Sequence, residues 1–160
     1  DEKSVSMVST SAVHLLMVAR YLERLARLRY GLREFFLHGT MLRPPDVRVP
    51  AMDVLISRVS IYASRRGGAT EASVRAPAVL SSAWRATDGR VAIALASISE
   101  DSTTVELQLD PARYRLRPGA RMVRHDATGS HPVGTVGAGT ATLRVALGAL
   151  EGAVIEVRKE

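Results

Sequence analysis

The fold of this chain is decided at residues 35–45, which read Phe-Phe-Leu-His-Gly-Thr-Met-Leu-Arg-Pro-Pro. Ahead of this stretch, apolar residues recur at helical spacing, and we predict one long amphipathic helix over Ser11–His38. Gly39 is typical of the position that follows a helix, and the double proline cannot continue one. Beyond it, nearly every segment alternates as β-strands do. The sequence therefore predicts a mainly β protein preceded by one helix.

The predicted helix has an apolar face and a charged face. The apolar face follows spacings of three and four residues and consists of Tyr21, Leu25, Leu28, Leu32 and Phe35, extended by Leu15, Val18 and Leu22. The charged face carries Arg20, Arg24, Arg27 and Glu34, which we interpret as solvated surface. Ser9, Thr10 and Ser11 are all acceptable N-caps. We expect the isolated chain to expose the stripe through Leu25, Leu28, Leu32 and Phe35, and so to self-associate.

Eight short strands are predicted after the helix. They cover Asp53–Tyr62, Ala78–Arg85, Val91–Ile98, Thr103–Leu109, Arg113–Arg117, Arg121–His125, Ala141–Leu147 and Ala153–Val157. Asp88-Gly89 predicts a tight hairpin turn, whereas the Gly- and Thr-rich residues 128–139 predict a loop. Short antiparallel strands with tight turns favour a Greek-key-type β-sandwich. We therefore divide the chain into a helical region at residues 1–45 and a sandwich domain at residues 46–160.

Composition argues against a nucleic-acid partner and against a membrane span. The net charge is +6, but the 22 basic residues are spread along the chain among 16 acidic ones, and aromatics are only 4% of the residues. A nucleic-acid-binding protein usually concentrates its charge and interleaves it with aromatic side chains. No apolar run reaches the roughly 18 residues that a membrane helix needs. Without cysteine, the chain has no disulfide and no thiolate metal site.

No residue pattern in the chain predicts a catalytic, cofactor-binding or metal-binding site. The acidic residues Asp88 and Asp110 are turn formers, Glu106 faces out of a strand, and residues 100–101 lie in a hairpin loop. The four histidines lack metal-ligand spacing, and no serine stands in a Gly-x-Ser-x-Gly motif. One alternative stays open: a small hydrolase that uses His125, Asp126 and a serine.

Two aromatic residues are candidates for stacking on a sugar. Trp84, the only tryptophan, shares a strand face with Leu80, and we interpret it as core. Tyr62 points outward in its predicted strand and is the better candidate for a carbohydrate platform.

Four segments of the chain carry a resemblance to a known family. Residues 21–30, residues 35–45 and the Trp84-containing hairpin at residues 83–96 resemble the C-terminal region of bacterial glycoside-hydrolase-like proteins of unknown function, distantly similar to α-galactosidase-type TIM-barrel enzymes. In that family, the last barrel helix leads through a similar exit into a C-terminal β-sandwich, and residues 148–157 resemble its closing strand. Ser97 stands where many such domains have asparagine. The catalytic carboxylates of the family lie on barrel strands, and no position here matches them.

The resemblance implies a non-catalytic scaffold within a carbohydrate-processing protein. Its partner would be an upstream barrel domain of the same parent protein, which fits a sequence that opens on Asp1 rather than on methionine. A second hypothesis is a self-standing β-sandwich module that binds carbohydrate or protein. That module would cover the apolar face of its helix within these 160 residues and would present an aromatic or polar ligand patch.

Overall fold

The structure is a computed structural model that describes residues 2–57 and 71–158, with side chains described for residues 12–54 and 73–158. Three helices are present in these ranges: α1 (Glu2–Gly31), α2 (Arg33–Phe36) and α3 (Pro111–Tyr114). The strands are β1 (Thr40–Leu42), β2 (Asp46–Arg48), β3 (Ala51–Ser57), β4 (Glu71–Pro77), β5 (Val79–Arg85), β6 (Val91–Ser97), β7 (Thr103–Leu109), β8 (Arg121–Asp126), β9 (Gly129–Thr135), β10 (Ala141–Leu147) and β11 (Gly152–Arg158).

The strands form antiparallel sheets, which confirms the predicted mainly β sandwich. The larger sheet has the order β1-β5-β6-β11-β8-β9, and the smaller one has the order β10-β7-β2. Strands β3 and β4 pair with each other as a separate ribbon. The chain crosses from the larger sheet to the smaller one and back, and β11 enters between β6 and β8, far from both in sequence.

The main hydrophobic core fills the space between the two larger sheets. Its buried members alternate along each strand, as expected where one face of a sheet turns inward. On the larger sheet they include Ile93, Leu95 and Ile155, and on the smaller sheet they include Leu107 and Val145.

Helix α1 with α2 covers the opposite, outer face of the larger sheet. Leu32 and Phe35 pack there against Ala92 of β6 and Val154 of β11 in a second cluster. Strands β6 and β11 are therefore covered on both faces, which explains why their sequences are apolar at almost every position.

The helix differs from the prediction at both ends. It begins at Glu2, so Ser9–Ser11 lie inside it and do not cap it. It is interrupted at Leu32, whose backbone has φ −114° and ψ 35° and separates α1 from the single turn of α2. Gly39 lies beyond the end of α2 and does not have the positive φ expected after a helix. It is needed for a close approach instead, since a Cβ there would fall 2.7 Å from the backbone oxygen of Arg85.

The exposure of the apolar stripe also differs from the expectation. Phe35 is 0% exposed and Leu32 is buried, while Leu25 and Leu28 are half-buried against the sheet. The prediction that these four side chains are exposed is therefore wrong. The apolar exposure lies further towards the start of α1, at Leu15 (67%) among others.

Two local predictions after β7 are also wrong. Residues 113–117 do not form a strand, because Asp110 accepts a hydrogen bond from the backbone N–H of Ala112 and Pro111 stands in the first helical turn, which starts α3. Residues 129–135 are not loop but β9, which pairs with β8. Predictions of β6, β7 and the Asp88-Gly89 turn are confirmed, with Gly89 at φ 85°.

Candidate functional site

Helix α1 lies along the outer face of the larger sheet and has a different surface on each flank. One flank, with Arg20, Arg24 and Arg27, borders a cleft beside the β8–β9 hairpin. The other flank, with Leu25 and Arg29, borders a groove over β5 and β6. The helical spacing produces this division, because residues three, four and seven apart share a side of the helix.

The cleft has a volume of about 900 Å³ and walls of different chemistry. The helix wall contributes the three arginines, while the hairpin wall contributes His125, Thr128 and Ser130. All three arginines were interpreted as solvated surface. They are exposed, as that interpretation requires, and they also form one side of this cleft.

A chain of three polar side chains runs from the cleft into the protein. The hydroxyl of Ser130 lies 2.8 Å from Nδ1 of His125, and Nε2 of His125 lies 2.8 Å from the carboxylate of Glu156. His125 and Ser130 are directly opposite each other in the β8–β9 pair. Glu156 lies diagonally across the β8–β11 pair, where Val154 is opposite His125. All three side chains therefore share the outer face of the sheet.

Glu156 is a buried carboxylate with cationic partners. Its side chain is 1% exposed, and it accepts hydrogen bonds from Arg90 (2.5 Å) and Arg158 (3.1 Å) as well as its bond to His125. Burial acts to raise its pKa, but the hydrogen bonds from Arg90, His125 and Arg158 outweigh burial and hold the pKa below the ordinary value of a glutamate. Glu156 is therefore an anion whose charge is already compensated.

Arg90 connects the sheet to the helix. Besides Glu156, its guanidinium binds Asp88 (2.7 Å) and lies 3.5 Å from the carboxylate of Glu34. It also lies 5.2 Å from the ring centroid of Phe35, within range of a cation–π contact. Glu34, interpreted from the sequence as part of a solvated face, thus takes part in fixing α2 to the sheet.

The hydrolase alternative requires His125, Asp126 and a serine in contact, and the structure has only part of this arrangement. His125 does contact a serine, but its two ring nitrogens bond to Ser130 and Glu156 and not to Asp126. Asp126 instead binds Arg124 (2.6 Å) and Thr128, and lies 3.8 Å from His131. Burial acts to raise the pKa of Asp126, yet the bonds from Thr128 and Arg124 lower it below its usual value.

A Ser-His-acid chain can activate serine when the acid strengthens the histidine as a base. Here Glu156 is neutralised by two arginines and is committed to holding the sheet and helix together. The arrangement serves to orient His125 and Ser130 more than to activate them.

The groove on the other flank of α1 is apolar and has a volume of about 350 Å³. Its lining includes Leu25 and Phe36 from the helices and Trp84 and Ala94 from the sheet. The rings of Phe36 and Trp84 meet edge to face at 5.8 Å, and the indole N–H donates to Ser82. Trp84 is only half-buried: it packs against the helical layer on the outer face of the larger sheet and lines this groove, so it is not part of the core between the two sheets.

The remaining acidic candidates have structural partners. Asp110 caps α3, Glu106 binds Arg144 across β7 and β10, and Glu100 lies 3.3 Å from His14 of α1. The second aromatic candidate, Tyr62, lies outside the described residues.

The sequence analysis did not identify Glu156 as a site residue, although the closing strand contains one indication of it. Glu156 is the single charged residue within the buried stretch of the closing strand, and a buried charge requires partners. The partners themselves come from distant strands and could not be named from spacing.

Three further results are negative. Within the described ranges, three or more His, Asp or Glu side chains nowhere gather as a metal ion would require. In the same ranges, none of the helices has the length and apolar character needed to cross a membrane. Comparison of the sequence with protein families, with characterised proteins and with solved structures gives no match.

Proposed function

We propose that this chain is a non-catalytic β-sandwich scaffold of a glycoside-hydrolase-like, carbohydrate-processing protein, and that α1 attaches it to a neighbouring barrel domain of the same parent. The observation that carries the proposal is the uneven covering of α1. Its C-terminal half packs on the sheet through Leu32 and Phe35, whereas Leu15 and Leu22 further up are 67% and 58% exposed.

The exposed leucines continue the apolar groove. Leu15, Leu22 and Arg29 are seven residues apart and so share one flank of the helix, and Arg29 lines the groove. Val18, half-buried, and Leu25 lie on the same flank. A row of large apolar side chains beside an apolar groove is typical of a surface that another protein body covers. The resemblance of residues 21–30 and 35–45 to the end of a barrel supports a barrel domain as that body.

The first test is the association state of the isolated chain. We expect sedimentation to show self-association and a hydrophobic dye to bind, because the apolar side chains of this flank are exposed to water in the isolated chain. The variant L15Q/L22Q should be monomeric and should lose most of the dye signal. The variant V13Q/V74Q is the matched control, since Val13 and Val74 are also exposed but lie off this flank. If the unsubstituted 160-residue chain is monomeric and does not bind the dye, the proposal is overturned and a self-standing binding module is favoured.

The second test addresses catalysis. We expect the isolated chain to leave aryl glycosides and aryl esters unchanged. A turnover that disappears in H125A, S130A and E156Q, with the fold retained, would contradict the non-catalytic proposal and support the hydrolase alternative.

A further inference from the structure

Two of the three arginines on the helix wall of the cleft are not paired with any of its three carboxylates. Among the described residues, Arg27 pairs with Glu23 at 2.6 Å, whereas Arg20 and Arg24 have no ion-pair partner. The other two acidic residues of the lining, Asp126 and Glu151, both bind Arg124, which lies outside the cleft. Two guanidinium groups on the helix wall thus remain for an anion.

The hairpin wall offers oxygen atoms that accept hydrogen bonds. Nε2 of His125 donates to the Glu156 carboxylate, so in the neutral imidazole Nδ1 accepts the proton of the Ser130 hydroxyl. The hydroxyl of Thr128 likewise donates to Asp126, and its oxygen accepts from Nε2 of His131 at 2.9 Å, which leaves that oxygen one further lone pair. Since both protons are used, the oxygen atoms of Ser130 and Thr128 can accept from a ligand. The buried Glu156 fixes this orientation from below the cleft.

We propose that this cleft binds a small hydroxylated anion, whose carboxylate or phosphate pairs with Arg20 and Arg24 while its hydroxyl groups donate to Ser130 and Thr128. A volume of about 900 Å³ lies within the range of small-molecule sites. Arginine pairs well with planar carboxylates and with phosphates, because its donors form a fixed fork. This site lies on the flank of α1 opposite the apolar row, and its occupancy does not depend on what covers that row.

The test is calorimetric titration of the whole chain with four probes: trigalacturonate, glucose 6-phosphate, inorganic phosphate and maltotriose. We expect saturable binding of one of the first two, and the stronger of them identifies whether the anion is a uronate or a phosphate. Inorganic phosphate and maltotriose should bind at least about tenfold more weakly, since each lacks one half of the recognised chemistry. Binding should also weaken as salt rises, because the two arginines are exposed.

The variants assign the binding to this cleft. R20Q/R24Q should weaken the better probe by about tenfold, and S130A should weaken it less. R48Q/R75Q removes the same charge from exposed positions on β2 and β4 and should leave affinity unchanged. Circular dichroism checks that each variant is folded. The proposal is overturned if neither hydroxylated anion binds, if maltotriose or inorganic phosphate binds as well, or if the two double variants weaken binding equally.

Discussion

The guanidinium of Arg90 donates to the carboxylate of Glu156 at 2.5 Å, joining the start of β6 to the closing strand β11 beneath α2. Arg90 is partly exposed, whereas Glu156 is not, and Glu34 and Phe35 of α2 meet the same guanidinium. One side chain therefore holds the sheet, its closing strand and the helical layer in register.

We expect Arg90→Met to lower the free energy of unfolding by about 3 kcal/mol, because it leaves a buried carboxylate short of its closest cation. Chemical denaturation measures the change. The control is Arg27→Met, which breaks an exposed pair with Glu23 and should cost less than about 1 kcal/mol. The double variant R90M/E156M should recover most of the loss, since it removes the buried charge as well. Equal losses in R90M and R27M would show that Arg90 has no special role.

Stability should fall in acid because the pKa values of Glu156 and Asp126 are depressed in the folded protein. A lowered folded-state pKa gives stability that is complete above the unfolded value, about 4 for carboxyl groups, and is lost as the pH falls through the folded value. Unfolding titrations from about pH 6 to pH 2 measure this slope. The double variant E156Q/D126N should show a shallower slope than the parent, and E23Q controls for the loss of a carboxylate. An unchanged slope in the double variant would contradict the assignment.

Substitution by alanine should have different effects on stability at two glycines. Gly39→Ala places a methyl group against the backbone oxygens of Phe35 and Arg85, which cannot move without shifting α2 or β5. We expect a loss of about 2 kcal/mol. Gly31→Ala, in the last turn of α1, meets nothing within 4 Å and should be neutral or gain up to about 1 kcal/mol from helix propensity. Thermal melts of the pair decide this, and a harmless G39A would refute the close approach.

Within the helical layer, truncation of Phe35 should lower the free energy of unfolding more than truncation of Phe36. Phe35 is 0% exposed, so Phe35→Ala should cost about 3–5 kcal/mol, whereas the half-buried Phe36 should cost less. Because Trp84 is the only tryptophan and touches Phe36, its fluorescence reports the contact directly. We expect F36A to shift the emission to longer wavelength in the folded protein. Emission unchanged in F36A would place Trp84 away from α2.

The fold was largely readable from the sequence wherever local pattern and tertiary environment agree. Strand β7 alternates cleanly because one face is core. Gly89 marks the turn between β5 and β6 because that turn needs a positive φ. The errors lie where long-range pairing decides. Residues 129–135 look like a loop because of their glycines, yet β8 supplies the hydrogen-bond partner that makes them a strand.

The candidate site was less readable than the fold. His125 and Asp126 drew attention as neighbours in sequence, but the two side chains have different partners: His125 bonds to Ser130 and Glu156, and Asp126 bonds to Arg124 and Thr128. Ser130 contacts His125 because the two lie opposite each other in the β8–β9 hairpin, which was not predicted. Glu156 contacts His125 from the neighbouring strand β11, 31 residues further along the chain. Spacing in the sequence carries no trace of either contact.

The central place of β11 also sets the order in which the larger sheet can be completed. Strands β1, β5 and β6 form one paired group and β8 and β9 form another, and only β11 joins the two. During synthesis, both groups precede β11, so the sheet remains in two pieces until that strand leaves the ribosome. Closure is therefore a late event that brings together distant parts of the chain, and such long-range pairing slows folding.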